Sequence, residues 1–245
     1  MKCLILAAGY ATRLYPLTEN FPKPLLKVKD KTILDWLIED IDTAKLVDEY
    51  IVITNDKFYN HFFAWSKTKK QRIVVLNDKT TCNENRLGAV KDIEFAIDSL
   101  NLDDDLLVIA GDNLLDFSLT EFIYYSKDKN ASCIMRYYES DIKKLQKTGV
   151  IEIDEYDKVL NMVEKPSEPK SNYACPPFYY YKSSDAKLIS KAIKDGCNVD
   201  APGSFIVWLC KKSTVYAMQM SGKRYDIGNL ESYNLVQQIY KGVVK

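Results

Sequence analysis

Short apolar runs alternate with amphipathic stretches through the first 110 residues, and this alternation restricts the chain to a small set of folds. The runs are Cys3 to Ala7, Tyr50 to Thr54, Ile73 to Leu76 and Leu106 to Ala110, with helical patterns over Ile33 to Leu46 and Ala89 to Leu100 between them. Strand, helix and strand in that order is the pattern of a parallel sheet wrapped by helices, because parallel neighbours need a crossover long enough to hold a helix. In the first helical stretch Ile33, Leu34, Leu37, Ile38, Ile41 and Ala44 fall on one face; in the second Val90, Ile93, Ala96, Ile97 and Leu100 do so. Leu106 to Ala110 is apolar at every position, as expected of a strand covered on both faces.

After Ser132 the pattern loosens into strand-like pieces at Ser132 to Tyr138, Gly149 to Ile153, Val159 to Val163 and Ala174 to Tyr181, and Asn229 is placed to cap a closing helix that runs to about Tyr240. The expected fold class is therefore α/β: a Rossmann-like three-layer sandwich with a mostly parallel central sheet and a mixed-sheet extension. No repeat or flexible linker interrupts the 245 residues, so one domain is expected, with parts at about 1–130 and 131–245. Thirty-four basic and 34 acidic residues cancel, so no overall field directs the chain to nucleic acid or an anionic membrane. No stretch approaches 18 apolar residues, the apolar run at the start is too short for a signal peptide, and the six cysteines form no C-x-x-C pair. These features lead to the expectation of a cytoplasmic protein with reduced, mostly buried thiols and neither a membrane nor a nucleic-acid partner.

The stretch with most chemistry in it is Leu6-Ala7-Ala8-Gly9-Tyr10-Ala11-Thr12-Arg13-Leu14-Tyr15-Pro16-Leu17-Thr18, followed by Phe21-Pro22-Lys23-Pro24-Leu25-Leu26. It leaves the first strand through small residues, so the backbone N–H groups of Ala8 and Gly9 can approach an anion closely. Arg13 and Lys23 add two positive charges near the same strand end, which in an open α/β sheet is where ligands bind. Neither the P-loop spacing nor the dinucleotide G-x-G-x-x-G is present.

The run L-A-A-G-x-x-T-R-L-x-P-L-T with P-K-P-L-L after it resembles the signature of the sugar-phosphate nucleotidyltransferase family, which includes glucose-1-phosphate thymidylyltransferases. The resemblance implies that the Ala8-Gly9 backbone lies under a nucleotide, that Arg13 holds the departing phosphates and that Lys23 meets the α-phosphate. It also implies an acceptor-binding role for the second part of the chain, and homo-oligomers are common in the family.

Two aspartates extend the likeness. Gly111-Asp112-Asn113 follows a buried strand directly, and Tyr225-Asp226-Ile227-Gly228 lies near the end. Taken alone, each is a turn former or helix cap. Magnesium needs only one or two carboxylates, the rest of its octahedron being water and phosphate oxygens. Gly-Asp-Asn and Asp-x-Gly are similar to the family's metal-binding segments, which implies Mg²⁺ on Asp112 and Asp226, with Asn113 facing the acceptor. The denser acidic run Asp103-Asp104-Asp105 precedes its strand and reads as a solvated loop.

On the acceptor side Val163-Glu164-Lys165-Pro166 looks like the family's E-K-P element, implying that Glu164 meets sugar hydroxyls and Lys165 the acceptor phosphate. Gly149 opens the facing strand, and Ser171-Asn172-Tyr173-Ala174 is similar to the family's next segment, which brings in Asn172. Cys175-Pro176-Pro177-Phe178 and Asp200 to Phe205 depart from it, so an acceptor other than glucose 1-phosphate stays open. The aromatic run Phe178-Tyr179-Tyr180-Tyr181, with Tyr173, fits either a cage for a quaternary amine or alternating core positions. Between Asn77 and Ala89 the chain crosses the place where family members read the base, with Asn77 and Gly88 the candidates. His61, the sole histidine, sits among Phe62, Phe63 and Trp65 and reads as structural.

The expected activity is Mg²⁺-dependent condensation of a nucleoside triphosphate, dTTP or UTP, with a sugar 1-phosphate, giving a nucleotide sugar and pyrophosphate. The alternatives are a cytidylyltransferase acting on phosphocholine or another non-sugar phosphate, and a catalytically silent regulatory or binding subunit that keeps the fold.

Overall fold

The structure is a computed structural model in which residues 1–243 are described. The chain begins with β1 (Lys2–Leu6), a short hairpin of β2 (Lys27–Val28) and β3 (Lys31–Thr32), α1 (Ile33–Asp42), β4 (Glu49–Thr54), α2 (Tyr59–Ser66) and β5 (Ile73–Asn77). It continues through α3 (Ala89–Leu100), β6 (Leu106–Ala110), β7 (Asn113–Leu115), α4 (Thr120–Lys129), β8 (Ser132–Tyr138) and α5 (Ile142–Leu145). Next come β9 (Gly149–Ile153), β10 (Val159–Glu164), β11 (Tyr173–Cys175), β12 (Phe178–Tyr181), α6 (Ser183–Ala186), α7 (Ile189–Lys194) and α8 (Gly203–Leu209). The last elements are β13 (Val215–Gln219), β14 (Arg224–Asp226) and α9 (Leu230–Ile239). The class is the α/β one expected, with a large central sheet and small separate antiparallel ladders.

Two compact units divide the described residues as Met1–Arg86, Ala110–Glu121 and 221–243 in one, and Leu87–Ile109 with Phe122–Met220 in the other. In the first, β1, β4 and β5 run parallel, with Leu4 opposite Ile51 and Ile51 opposite Val74. All six residues of β4 are buried, as its near-continuous apolar sequence requires. Thr32 starts α1 with a capping box, accepting from Asp35 N at 3.0 Å while its own N–H donates to Asp35 Oδ2 at 3.2 Å. The helix buries Ile33, Leu34, Leu37, Ile38 and Ile41, each contributing about 2 kcal/mol over exposure. It stops at Asp42, short of the expected Leu46, because Thr43 turns its N–H and hydroxyl back to Asp40 O and Lys45 takes a left-handed φ of 53°.

The division differs from the expected split near residue 130, since the C-terminal segment returns to the first unit. Its β14 pairs with β7, and Ile227, Val236 and Tyr240 complete a core cluster with Leu14, Leu26, Val28, Ile33 and Leu114. Those three side chains find apolar cover there, and the Tyr240 hydroxyl donates to Leu115 O at 2.8 Å. Asn229 caps α9 as expected, accepting from Ser232 N at 2.8 Å.

In the second unit the strands lie in the order β10, β9, β11, β8, β12, β6, antiparallel at every step, with β13 parallel beside β8. The single strand expected over Ala174 to Tyr181 is two. Pro176 and Pro177 have no N–H for a ladder, so β11 pairs with β9 and β8, whereas β12 pairs with β6 and β8. Asp105 also departs from expectation. Instead of a solvated carboxylate it is an anchor that accepts from the Tyr180 hydroxyl at 2.6 Å and Ser183 N at 3.0 Å and pairs with Lys127 at 2.9 Å. Burial alone would lift its carboxyl, but the Tyr180, Lys127 and Ser183 donors outweigh that and hold it well below the usual carboxylate range. Cys3, Cys133 and Cys175 are buried, Cys197 and Cys210 half-buried and Cys82 exposed, all as free thiols. Among the described residues no helix is long and apolar enough to cross a membrane.

Candidate active site

The first unit gathers the phosphate-type residues at the carboxyl end of β1. Ala7 N reaches Ile53 O at 2.9 Å, and the chain then leaves the sheet. Buried Asn55 fixes the exit, donating to Ala8 O at 2.9 Å and accepting from Phe58 N at 3.0 Å. Ala11 adopts φ 47° and ψ 42°, a left-handed conformation costing a non-glycine residue about 1–2 kcal/mol, and buried Thr18 pins it by donating to Ala11 O at 2.8 Å. Among the described residues the N–H groups of Ala8 and Gly9 meet no acceptor, and a Cβ built on Gly9 would find nothing within 4 Å. Consecutive backbone amides without a protein acceptor are the donors from which an anion-binding concavity is built.

Two cations flank this turn. Arg13 is exposed and unpaired among the described residues. Lys23, only 7% exposed, is carried on a short turn between Pro22 and Pro24, and its Nζ lies 2.8 Å from Asp112 Oδ2. Gly111 brings Asp112 there. Its N–H donates to Leu6 O at 3.0 Å, and a Cβ at that position would lie 2.9 Å from Ile5 Cγ2, so only glycine lets the Gly-Asp-Asn turn pass so close to β1. Asp226 is the cross-strand partner of Asn113, the residue that follows Asp112. Asp226 is exposed, without a protein partner among the described residues, and the Asp112 side chain is 42% exposed. No group of three or more metal-ligating side chains exists among the described residues. Two carboxylates that each reach solvent fit magnesium, which keeps several waters and phosphate oxygens in its shell.

In the second unit Glu164 and Lys165 line a cavity of about 540 Å³ together with Asn161, Asp195, Ser204 and Trp208. Gly149 and Gly203 make room for the Glu164 carboxyl: a Cβ on either would collide with the Met162 methyl or with Glu164 Oε2. Burial raises the Glu164 carboxyl, Lys165 opposes that, and neighbouring Asp200 adds to it. Lys165 is exposed with a left-handed φ of 48°, and its N–H is tied to Thr148 O at 3.0 Å. Backbone held in this way at a charged residue is the kind of local strain that clusters at functional positions. The sequence reading missed Trp208 and Asp195, which bond to each other from Nε1 to Oδ2 at 3.1 Å. Ser204 and Trp208 stand one turn apart in an apolar stretch, and that spacing was the available hint.

Other expected site residues stand elsewhere. Asn113 does not face an acceptor: it is 1% exposed, and its amide is bonded to Asp112, Ala110 and Arg224. Asn172 is exposed, donates to Glu139 O at 2.9 Å and does not line the Glu164 cavity. Asn77 shapes its turn, donating to Asp56 Oδ1 at 2.7 Å and accepting from Lys79 N at 2.8 Å. Gly88, at φ 92°, approaches a protein carbonyl closely, since a Cβ would lie 2.5 Å from Val199 O. In the segment between Asn77 and Gly88 Asp78 is buried and accepts from both the N–H and the hydroxyl of Thr80 at 2.7 Å. Phe178 to Tyr181 are all buried in the core, so those rings form no open cage. His61 packs its ring edge against Phe21 at 5.1 Å.

Comparison with known proteins places these features in a family. A family model described as nucleotidyl transferase matches residues 2–241. Over 231 residues the chain is 29% identical to a bifunctional GlmU protein of Methanocaldococcus jannaschii, covering 93% of this chain and 51% of that protein. It is 26% identical over 258 residues to the UTP–glucose-1-phosphate uridylyltransferase AglF of Haloferax volcanii, covering 97% and 96%. The chain spans about half the length of several curated relatives it matches, 51% to 59% for the first four. Among solved structures, UDP-glucose pyrophosphorylase complexed with UDP-glucose superposes with a TM-score of 0.79 at 23% identity, covering 98% of this chain and 97% of that one. The Acinetobacter baumanii UDP-glucose pyrophosphorylase gives 0.76 at 17% identity, covering 96% and 91%. These two likenesses concern the fold, whereas the family match spans nearly every described residue: the chain belongs to the nucleotidyl transferase family.

Proposed function

We propose that the protein is an enzyme that joins the nucleotidyl group of a nucleoside triphosphate, UTP or dTTP, to a sugar 1-phosphate and releases pyrophosphate. The observation that carries this reading is the Lys23–Asp112 contact beside the carboxyl end of β1, where Gly111 N donates to Leu6 O and the free amides of Ala8 and Gly9 follow the strand, with Asp226 paired opposite Asn113. A uridylyl preference draws support from AglF, named for UTP and glucose 1-phosphate, and from the fold shared with a UDP-glucose complex.

In the proposed reaction an oxygen of the acceptor phosphate forms a bond to the α-phosphorus as the bond from that phosphorus to the bridging oxygen of pyrophosphate breaks, the leaving group taking the electron pair. The attacking oxygen is already an anion, so the side chains position and neutralise rather than remove a proton. The Ala8 and Gly9 amides cradle phosphate oxygens, Arg13 offsets charge on the departing pyrophosphate and Lys23 charge at the α-phosphate. Asp112 and Asp226 would hold Mg²⁺, which would supply positive charge to offset that of the phosphates. Glu164 accepts from hydroxyls of the acceptor, and Lys165 meets its phosphate.

The test is pyrophosphate release by the full chain with each of UTP, dTTP, CTP, ATP and GTP against glucose 1-phosphate, other sugar 1-phosphates and phosphocholine. Turnover with UTP or dTTP and a sugar 1-phosphate is the expected outcome. Turnover confined to CTP and phosphocholine would replace this reading with a cytidylyltransferase, and none with any pair would leave a silent member of the fold.

A further inference from the structure

The Asn113 side chain has a role that the Gly-Asp-Asn motif alone does not reveal. Its Nδ2 donates to Asp112 Oδ1 at 3.0 Å and to Ala110 O at 3.3 Å, and its Oδ1 accepts from Arg224 Nη1 at 2.8 Å. Only one orientation of the amide is compatible with these partners. Turned over, it would set oxygen against two acceptors and nitrogen against a guanidinium. The bonds therefore run in one direction, from the Arg224 cation through a buried amide to one oxygen of Asp112. The other oxygen, Oδ2, is met by Lys23.

Arg224 enters this chain of bonds from β14, two residues before Asp226 and so on the same side of that strand. It is half-buried and forms no ion pair with a carboxylate among the described residues, so its charge is not cancelled locally. An uncancelled cation that polarises an amide strengthens the bond that amide donates to a carboxylate. Outer groups of this type fix the rotation of a ligating carboxylate and set its strength for a metal.

We propose that Arg224 and Asn113 are positioning residues that orient the Asp112 carboxylate for the divalent cation, an inference that rests on reading Asp112 as a metal ligand. Asn113 acts from within the protein, and Arg224 ties β14, which ends in Asp226, to the strand that follows Asp112. A tie between β7 and β14 with no bearing on the metal would affect melting alone.

The experiment is Mn²⁺ binding by the full chain in the presence of inorganic pyrophosphate, followed by electron paramagnetic resonance. Arg224→Met, which keeps the stem and removes the charge, should weaken Mn²⁺ roughly tenfold to a hundredfold. Arg224→Lys should recover part of the loss, and in an Asn113→Ala background Arg224→Met should add almost nothing. The Mg²⁺ concentration for half-maximal rate should rise in parallel, while kcat at saturating Mg²⁺ stays near that of the unaltered protein. Unchanged Mn²⁺ affinity in Arg224→Met overturns the proposal, as does a fall in nucleotide or acceptor affinity with metal affinity intact. Asp112→Asn separates the two layers of inference: if it leaves Mn²⁺ binding intact, the metal assignment fails, and if it abolishes binding while Arg224→Met has no effect, only the relay fails.

Discussion

The Lys23 ammonium lies 2.8 Å from Asp112 Oδ2, and the lysine side chain is almost enclosed whereas 42% of the aspartate side chain faces solvent. Pro22 and Pro24 stiffen the turn that carries Lys23, so little side-chain freedom is left to lose when the ammonium meets a phosphate. Substituting Lys23→Met retains the buried stem, and the loss of one charged bond to a half-exposed partner should cost about 1 kcal/mol. The rate should respond far more, with kcat falling about a hundredfold or further, as for other preorganised cations and donors at a developing charge. Because the ammonium bonds an oxygen that a divalent cation would also use, Mn²⁺ affinity should hold or rise. Pyrophosphate-release kinetics, thermal melts and Mn²⁺ titration check the three parts.

Asp226 offers a cleaner separation of chemistry from folding. Its carboxyl is exposed and has no protein partner among the described residues, so Asp226→Asn should leave stability within about 0.5 kcal/mol. Turnover should nevertheless be nearly lost if that oxygen holds the metal. Near-normal pyrophosphate release by a variant that melts like the unaltered protein would remove Asp226 from the site.

Much of this was legible in the linear order of residues. The alternation of Cys3 to Ala7, Tyr50 to Thr54 and Ile73 to Leu76 predicted the parallel strands, because burial on both faces demands unbroken apolar runs. Lys23 and Asp112 were singled out as site residues, and their contact spans 89 positions. The inward turn of Asn113 was not legible, since it depends on Arg224, which is brought across by a three-residue strand too short to leave a periodic pattern. The Glu164 cavity was half-visible: Glu164 and Lys165 were named, but Trp208 lies on a seven-residue helix whose apolar character masks which face is open.

Glu164 links the acceptor assignment to pH. Burial lifts its carboxyl above the usual glutamate value and Asp200 adds to this, with Lys165 opposing. The native state therefore holds a proton that the unfolded chain has already released, and stability must fall as pH rises from about 4.3, the ordinary value, through the folded one. Glu164→Gln removes that titration, so its thermal stability should decline less than that of the unaltered protein over the same rise. The acceptor KM should increase in the variant because a carboxylate acceptor has become an amide. Melting curves at a series of pH values, with identical slopes for the two proteins, would show that the carboxyl is not perturbed.

Gly88 lets the structural and ligand-binding explanations of one glycine be told apart. At φ 92° it sits where L side chains are strained, and a Cβ would lie 2.5 Å from Val199 O, the carbonyl that accepts from Val90 N at 3.0 Å in the first turn of α3. Ala89 N similarly donates to Asp200 O at 3.2 Å, so the start of this helix is capped by the loop that carries the neighbour of Glu164. Gly88→Ala must therefore either move the Val199 carbonyl or strain the backbone, at a combined cost of about 3 kcal/mol. A glycine kept only for nucleotide approach would behave otherwise, raising the nucleotide KM with the melting temperature unchanged. Here the melting temperature should drop first, and the acceptor KM should move with it because Asp200 shifts relative to Glu164.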